Sequence, residues 1–333
     1  MTLSRSRFVL CGFAAATLFV LFATPQLLGG HLADALGTLR AADPWWLALG
    51  ALGFIAGFCC TVGAWRSALE AAGGSICAKQ AAARLGIGSL VNAVAPAKLG
   101  DAVKIALCAR AVDGPDRLWT TGGVYAALAA ARSLCLAGLL VVASVTGAIP
   151  VWPVFLLCSV VAVIACAAAF SGRLRNHPRI AHLVGALAAL ERSPRAVAQV
   201  LGWTAAMVVT RLAATVAIAA ALELPHPFLA ALLILPALDL AAAFPVTPGA
   251  MGIGSGAVAV ALAGRGIGAA QALGVGIAIQ ALETLVAIGA GSAGALYLAG
   301  PGTAARRWSA RVAFVGAAAA AAALLGAALI DAI

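Results

Sequence analysis

Apolar residues in this chain come in long blocks, and polar residues gather in the gaps between them. Uninterrupted blocks cover about 8–28, 45–65, 118–146, 151–170, 197–221, 269–299 and 312–331. A helix crosses a hydrocarbon layer about 30 Å thick with about 20 such residues, and every block reaches or approaches that length. The pattern predicts an all-α polytopic membrane protein with about seven transmembrane helices.

Two further apolar segments, about 80–112 and 227–264, are interrupted. In the first, the run from Ala81 to Pro96 holds about 15 residues, or about 22 Å of helix. The return from Gly100 to Leu107 is shorter. Neither limb spans a bilayer and both ends are basic, so the spacing predicts a re-entrant hairpin. In the second, Phe228–Phe244 runs inward, Pro245, Thr247, Pro248 and Gly249 break it, and Gly252–Ala263 runs back. That hairpin enters from the opposite face. Paired, Gly/Pro-interrupted segments in two halves are the mark of an inverted-repeat transporter. The halves are about 8–146 and 151–300, with an extra helix at 312–331, within one domain over 1–333. The symmetry is read from topology, since no residue-by-residue identity links the halves.

Composition agrees with the blocks. The chain of 333 residues is 64% hydrophobic and 10% charged, with mean hydropathy +1.07, against about 25% charged residues in soluble domains. The net charge of +10 does not point to nucleic acid, because the basic residues flank apolar blocks. The loops around 66–117, 171–196 and 306–311, together with Arg5 and Arg7, are basic; the other side holds only Arg40 and Arg265. That asymmetry places the N-terminus in the cytoplasm and the C-terminus outside, in a cell inner membrane. Ile180–Leu190 lies between basic clusters and reads as an interfacial helix. The Ser4–Arg7 stretch and the block after it resemble a signal peptide, but no A-x-A site follows, so an uncleaved first span is expected. Eight cysteines sit mostly in apolar runs without C-x-x-C spacing, as small buried residues do; no metal site or disulfide framework is predicted. Gly53-x-x-x-Gly57 is a small-residue packing pattern, indistinct in a chain so rich in alanine.

The candidate chemistry lies at mid-depth. Arg132, Arg211 and Glu283 stand at the centres of their blocks, and Asp239 is about eleven residues into the second hairpin. A charge at the bilayer centre costs about 2.5–3.5 kcal/mol, so four at one depth face the protein interior and one another. Two readings fit. One is a pair of structural Arg–carboxylate bridges. The other is a polar pocket in which guanidinium groups take a phosphate bidentately, with Lys98 at a half-helix start and Asn92, Gln280 and Thr247 adding hydrogen bonds. Glu283 and Asp239 are alternatively proton carriers, as intramembrane carboxylates often are. Helix starts at the broken segments offer free N–H groups to an anion, and Gly249, Gly252, Gly254 and Gly256 permit close backbone approach; a hinge or tight packing fits the same glycines.

There is no Walker loop, no H-E-x-x-H and no Ser/His/Asp set, so no catalytic function and no cofactor is expected. The run Asn92, Pro96, Lys98, Gly100, Asp101 (N-x-x-x-P-x-K-x-G-D) resembles the first signature of the flippase-like family named for the transmembrane region of lysylphosphatidylglycerol synthases. Pro245, Pro248, Gly249 and Gly252 resemble its second, P-x-x-P-G-x-x-G; the acidic residue that follows there is replaced here by Ser255 and Gly256. The resemblance covers roughly 8–300. It implies a transporter that moves a phospholipid or polyprenyl-phosphate-type head group between leaflets, with membrane lipids as partners. The chain carries no soluble aminoacyl-transferase domain and is similar to the stand-alone members, so lysyl-phosphatidylglycerol is not implied as cargo. Self-association is left open. The alternatives are a proton-coupled transporter of a small soluble anion and, further off, a membrane glycosyl- or acyl-transferase.

Overall fold

The computed structural model describes residues 41–95, 99–114, 116–147, 193–242 and 252–299. These form eight α-helices and one 3-10 turn, with no strand among the described residues. The helices are α1 (Pro44–Ala71), α2 (Ala78–Val94), α3 (Leu99–Cys108), α4 (Arg117–Val145), α5 (Pro194–Ala221), α6 (Pro227–Ala241), α7 (Ile253–Ala263) and α8 (Ala269–Leu298). The expected spans at 8–28, 151–170 and 312–331, the interfacial stretch at 180–190 and both chain ends lie outside the described residues.

Four helices, α1, α4, α5 and α8, are 28–30 residues long with mean hydropathy 1.7–2.0, long and apolar enough to cross a membrane. Their starts are set by local chemistry. The Asp43 side chain accepts from the Trp45 N–H at 2.8 Å, and Ser193 Oγ from the Ala196 N–H at 3.3 Å. Each cap is followed by a proline, whose missing N–H is no loss in the first turn. Helix α1 runs to Ala71, past the expected end near 65, because the apolar face continues: Ala68 and Leu69 are fully buried.

Interhelix bonds fix which ends lie together. The Asp43 N–H donates to Ala221 O at 3.2 Å, Gln271 Nε2 to Leu222 O at 2.9 Å, and Arg265 Nη2 to Gly147 O at 2.7 Å. One end of the bundle therefore gathers the start of α1, the ends of α4 and α5, and the start of α8. At the other end the Ser75 N–H donates to Ala111 O at 3.1 Å. Helices α2 and α3 thus leave and return at that second end, while α6 and α7 leave and return at the first. At 17, 10, 15 and 11 residues, none of the four reaches the length of a full span. Exposed aromatics mark both ends: Trp45, Trp46 and Phe228 at one, Trp119 and Tyr297 at the other. Such belts suit the two interfaces of a bilayer.

Small residues bring the long helices close. A methyl group on Gly53 would meet Ala214 Cβ at 2.8 Å, and one on Gly57 would meet Thr210 Oγ1 at 3.2 Å, so the G-x-x-x-G pattern lies in the seam of α1 with α5. Gly86, Gly291 and Gly294 make the same kind of seam between α2 and α8. Three apolar clusters follow: one around Ile218, Ile234 and Ile279, one around Leu69, Leu85 and Val124, and a smaller one around Leu232 and Leu235. A polar space is left between them.

Candidate functional site

Four helices each send one charged side chain into that space. Arg132 (α4) donates through Nη2 to Asp239 Oδ1 (α6). Arg211 (α5) reaches the same oxygen through Nη1 at 3.4 Å and donates through Nη2 to Glu283 Oε1 (α8) at 2.5 Å. The result is one alternating chain, Arg132–Asp239–Arg211–Glu283, rather than two separate bridges. Side-chain exposure grades along it: Asp239 13% and Arg211 17%, against Glu283 37% and Arg132 40%. The inner pair is the more buried. The outer two face open space, and Arg132 has no other partner among the described residues. Asp239 Oδ2 is buried and unpartnered.

A second polar cluster joins α2, α3 and α4. Asp101 (α3) accepts from Asn92 Nδ2 (α2) at 2.8 Å, Lys104 Nζ at 3.1 Å and Tyr125 OH (α4) at 2.9 Å. One carboxylate thus ties three helices. The limbs meet closely at Gly100, where a Cβ would strike Gly88 O and the Asn92 side chain. Asn92 Oδ1 is buried without a partner.

A cavity of about 340 Å³ joins the two clusters, near the lower end of the size range of ligand sites. Asp101, Lys104 and Tyr125 line one end; Arg132, Arg211 and Glu283 line the other. Tyr125 and Arg132 lie seven residues, or two turns, apart on one face of α4. Thr61 and Thr204 on the wall turn their hydroxyls back to the Gly57 and Val200 carbonyls at 2.9 and 2.7 Å, a bond that satisfies a hydroxyl within an apolar helix.

The structure therefore brings Arg132, Arg211, Asp239 and Glu283 together, and places Asn92 and Asp101 in a neighbouring cluster. Gly254 and Gln280 meet each other: a Cβ on Gly254 would strike the Gln280 amide, so this glycine serves helix packing and not the cavity wall. Gly252 opens α7 at φ +84°, a left-handed conformation that favours glycine. Lys98, Thr247, Pro96, Pro245, Pro248 and Gly249 lie outside the described residues. Lys104 and Tyr125 escaped the sequence reading. Their signals were a cation three residues after Asp101 and one of only two tyrosines, in helical register with Arg132.

The family model described as the lysylphosphatidylglycerol synthase TM region matches residues 9–291. The chain belongs to this family. The match takes in every described helix up to the last turns of α8, and with it all the charged side chains of both clusters. A search of curated proteins finds no match. As a member of the lysylphosphatidylglycerol synthase TM region family, with four long apolar helices, the protein is a multi-pass membrane protein connected with membrane lipids.

Proposed function

We propose that this family member is a flippase that carries the anionic head group of a phospholipid or lipid-linked phosphate across the inner membrane. The observation that carries the reading is the half-exposed Arg132 guanidinium, facing a cavity midway along a helix long enough to span. Guanidinium has five N–H donors, and the bond to Asp239 uses one. A phosphate is the natural acceptor for the remainder. Among the described helices, α4 and α8 both line the cavity without packing extensively on each other; acyl or prenyl chains leave sideways there while the head group stays inside. This favours a lipid over a small soluble anion.

The pairs α2–α3 and α6–α7 act as re-entrant hairpins from opposite faces, with the N-terminus cytoplasmic, and rocking of the halves exposes the cavity to each leaflet in turn. The test is translocation of fluorescent phosphatidylglycerol and of a polyprenyl phosphate in reconstituted liposomes. The wild type is expected to move at least one of them, and Arg132→Ala to slow it about 10-fold or more, as loss of one charge-assisted bond implies. Equal rates in both proteins refute the assignment.

A further inference from the structure

The end of the cavity remote from Arg132 has its own chemistry, and three features define it. First, its cation is more enclosed in its own pair than Arg132 is: Lys104 Nζ lies 3.1 Å from Asp101 and its side chain is 18% exposed, against 40% for Arg132, so the guanidinium is the better seat for the phosphate. Second, Asp101 already accepts from Asn92, Lys104 and Tyr125, which takes three of its roughly four acceptor positions; it has little capacity to hold a ligand ammonium. Third, hydrogen-bonding capacity remains in neutral form. Ser89 lines the cavity and has no partner among the described residues, the Lys104 ammonium has N–H groups beyond the one given to Asp101, and the rings of Trp65 and Tyr125, with centroids 6.2 Å apart, form apolar wall.

A group that both donates and accepts hydrogen bonds, bears no charge and presents C–H faces to aromatic rings matches such a surface.

We propose that the Asp101–Lys104–Tyr125 end is a glycosyl subsite, so that the preferred head group is a sugar joined to a lipid phosphate, the phosphate at Arg132 and the sugar ring against Trp65 and Tyr125. This rests on the flippase reading only in naming a lipid as the source of the phosphate; the soluble head group tests it separately.

The experiment titrates full-length protein in nanodiscs with hexose 1-phosphate, glycerol 3-phosphate and inorganic phosphate. Hexose 1-phosphate is expected to bind at least about tenfold more tightly than the other two, the worth of one or two good hydrogen bonds. Ser89→Ala and Lys104→Gln, made separately, each bring that ratio toward one while inorganic phosphate affinity stays within about threefold, because neither side chain bonds the chain of charges at Arg132. Arg132→Ala weakens all three ligands. Equal affinities in the wild type, glycerol 3-phosphate matching the hexose phosphate, or no binding of hexose phosphate overturns the proposal. A liposome arm separates it from the flippase reading. Phosphatidylglycerol moving faster than a polyprenyl-phosphate sugar sinks the glycosyl subsite and leaves the flippase. Hexose phosphate bound selectively by a protein that moves no lipid upholds the subsite and sinks the flippase.

Discussion

Replacing Asp239 by Asn keeps the side chain's size and removes the charge that two arginines share. Breaking a buried ion pair from one side costs about 3–5 kcal/mol, and an exposed pair is worth about 0–1 kcal/mol. Arg132 is 40% exposed and Asp239 13%, so their bridge falls between these limits. Arg211 keeps its 2.5 Å bond to Glu283. A loss of about 2 kcal/mol in stability is the expected outcome. Ligand affinity moves the other way, because the Asp239 carboxylate no longer repels a phosphate seated on the remaining donors of Arg132. If about 1.4 kcal/mol of relieved repulsion reaches the ligand, inorganic phosphate binds about tenfold more tightly. Thermal unfolding in nanodiscs across a phosphate titration reads both quantities, since a ligand raises stability by RT times the logarithm of one plus its concentration over Kd. The variant therefore melts lower without phosphate and gains more from it than the wild type. The double variant Asp239→Asn with Arg132→Met recovers most of the lost stability, because the pair is then removed from both sides. A variant that melts lower yet binds phosphate no better refutes the idea that a phosphate sits at Arg132 beside the Asp239 charge.

Two other predictions concern α3 and its contacts. Asp101→Ala strips the acceptor from Asn92, Lys104 and Tyr125 at once; a destabilisation of about 2–4 kcal/mol is expected in chemical denaturation, against about 1 kcal/mol or less for Glu70→Gln, whose partner Arg66 is half exposed. Gly100→Ala drives a methyl into Gly88 O and costs about 1–3 kcal/mol by overpacking, whereas Gly256→Ala meets open space and changes melting little.

Much of the helical architecture is legible from hydropathy, because crossing a bilayer demands length and apolarity that leave few alternatives. The four long helices agree with the apolar blocks to within a few residues, apart from the extra turn and a half of α1. The meeting of Arg132, Arg211, Asp239 and Glu283 follows from the cost of a lone charge at mid-depth, which compels a partner. The pairing itself was not legible: a single Asp239 oxygen serving two arginines depends on the relative rotation of α4, α5 and α6. Tyr125 bonding Asp101 across 24 positions is likewise a tertiary fact with no local period. The Gly53–Gly57 seam was hidden for a different reason, since small residues are everywhere in this chain.

The clusters around the cavity balance. Three cationic side chains, Lys104, Arg132 and Arg211, face three carboxylates, Asp101, Asp239 and Glu283. Among the described residues, an empty cavity therefore has no net charge for the transmembrane voltage to pull on. A phosphate-bearing guest changes that: each unit of charge it brings couples to the field by about 2.3 kcal/mol per 100 mV. On the flippase reading proposed above, the return stroke of the empty carrier is then electrically silent, and the cell's resting potential acts on the loaded protein alone, urging an anionic cargo toward the positive side.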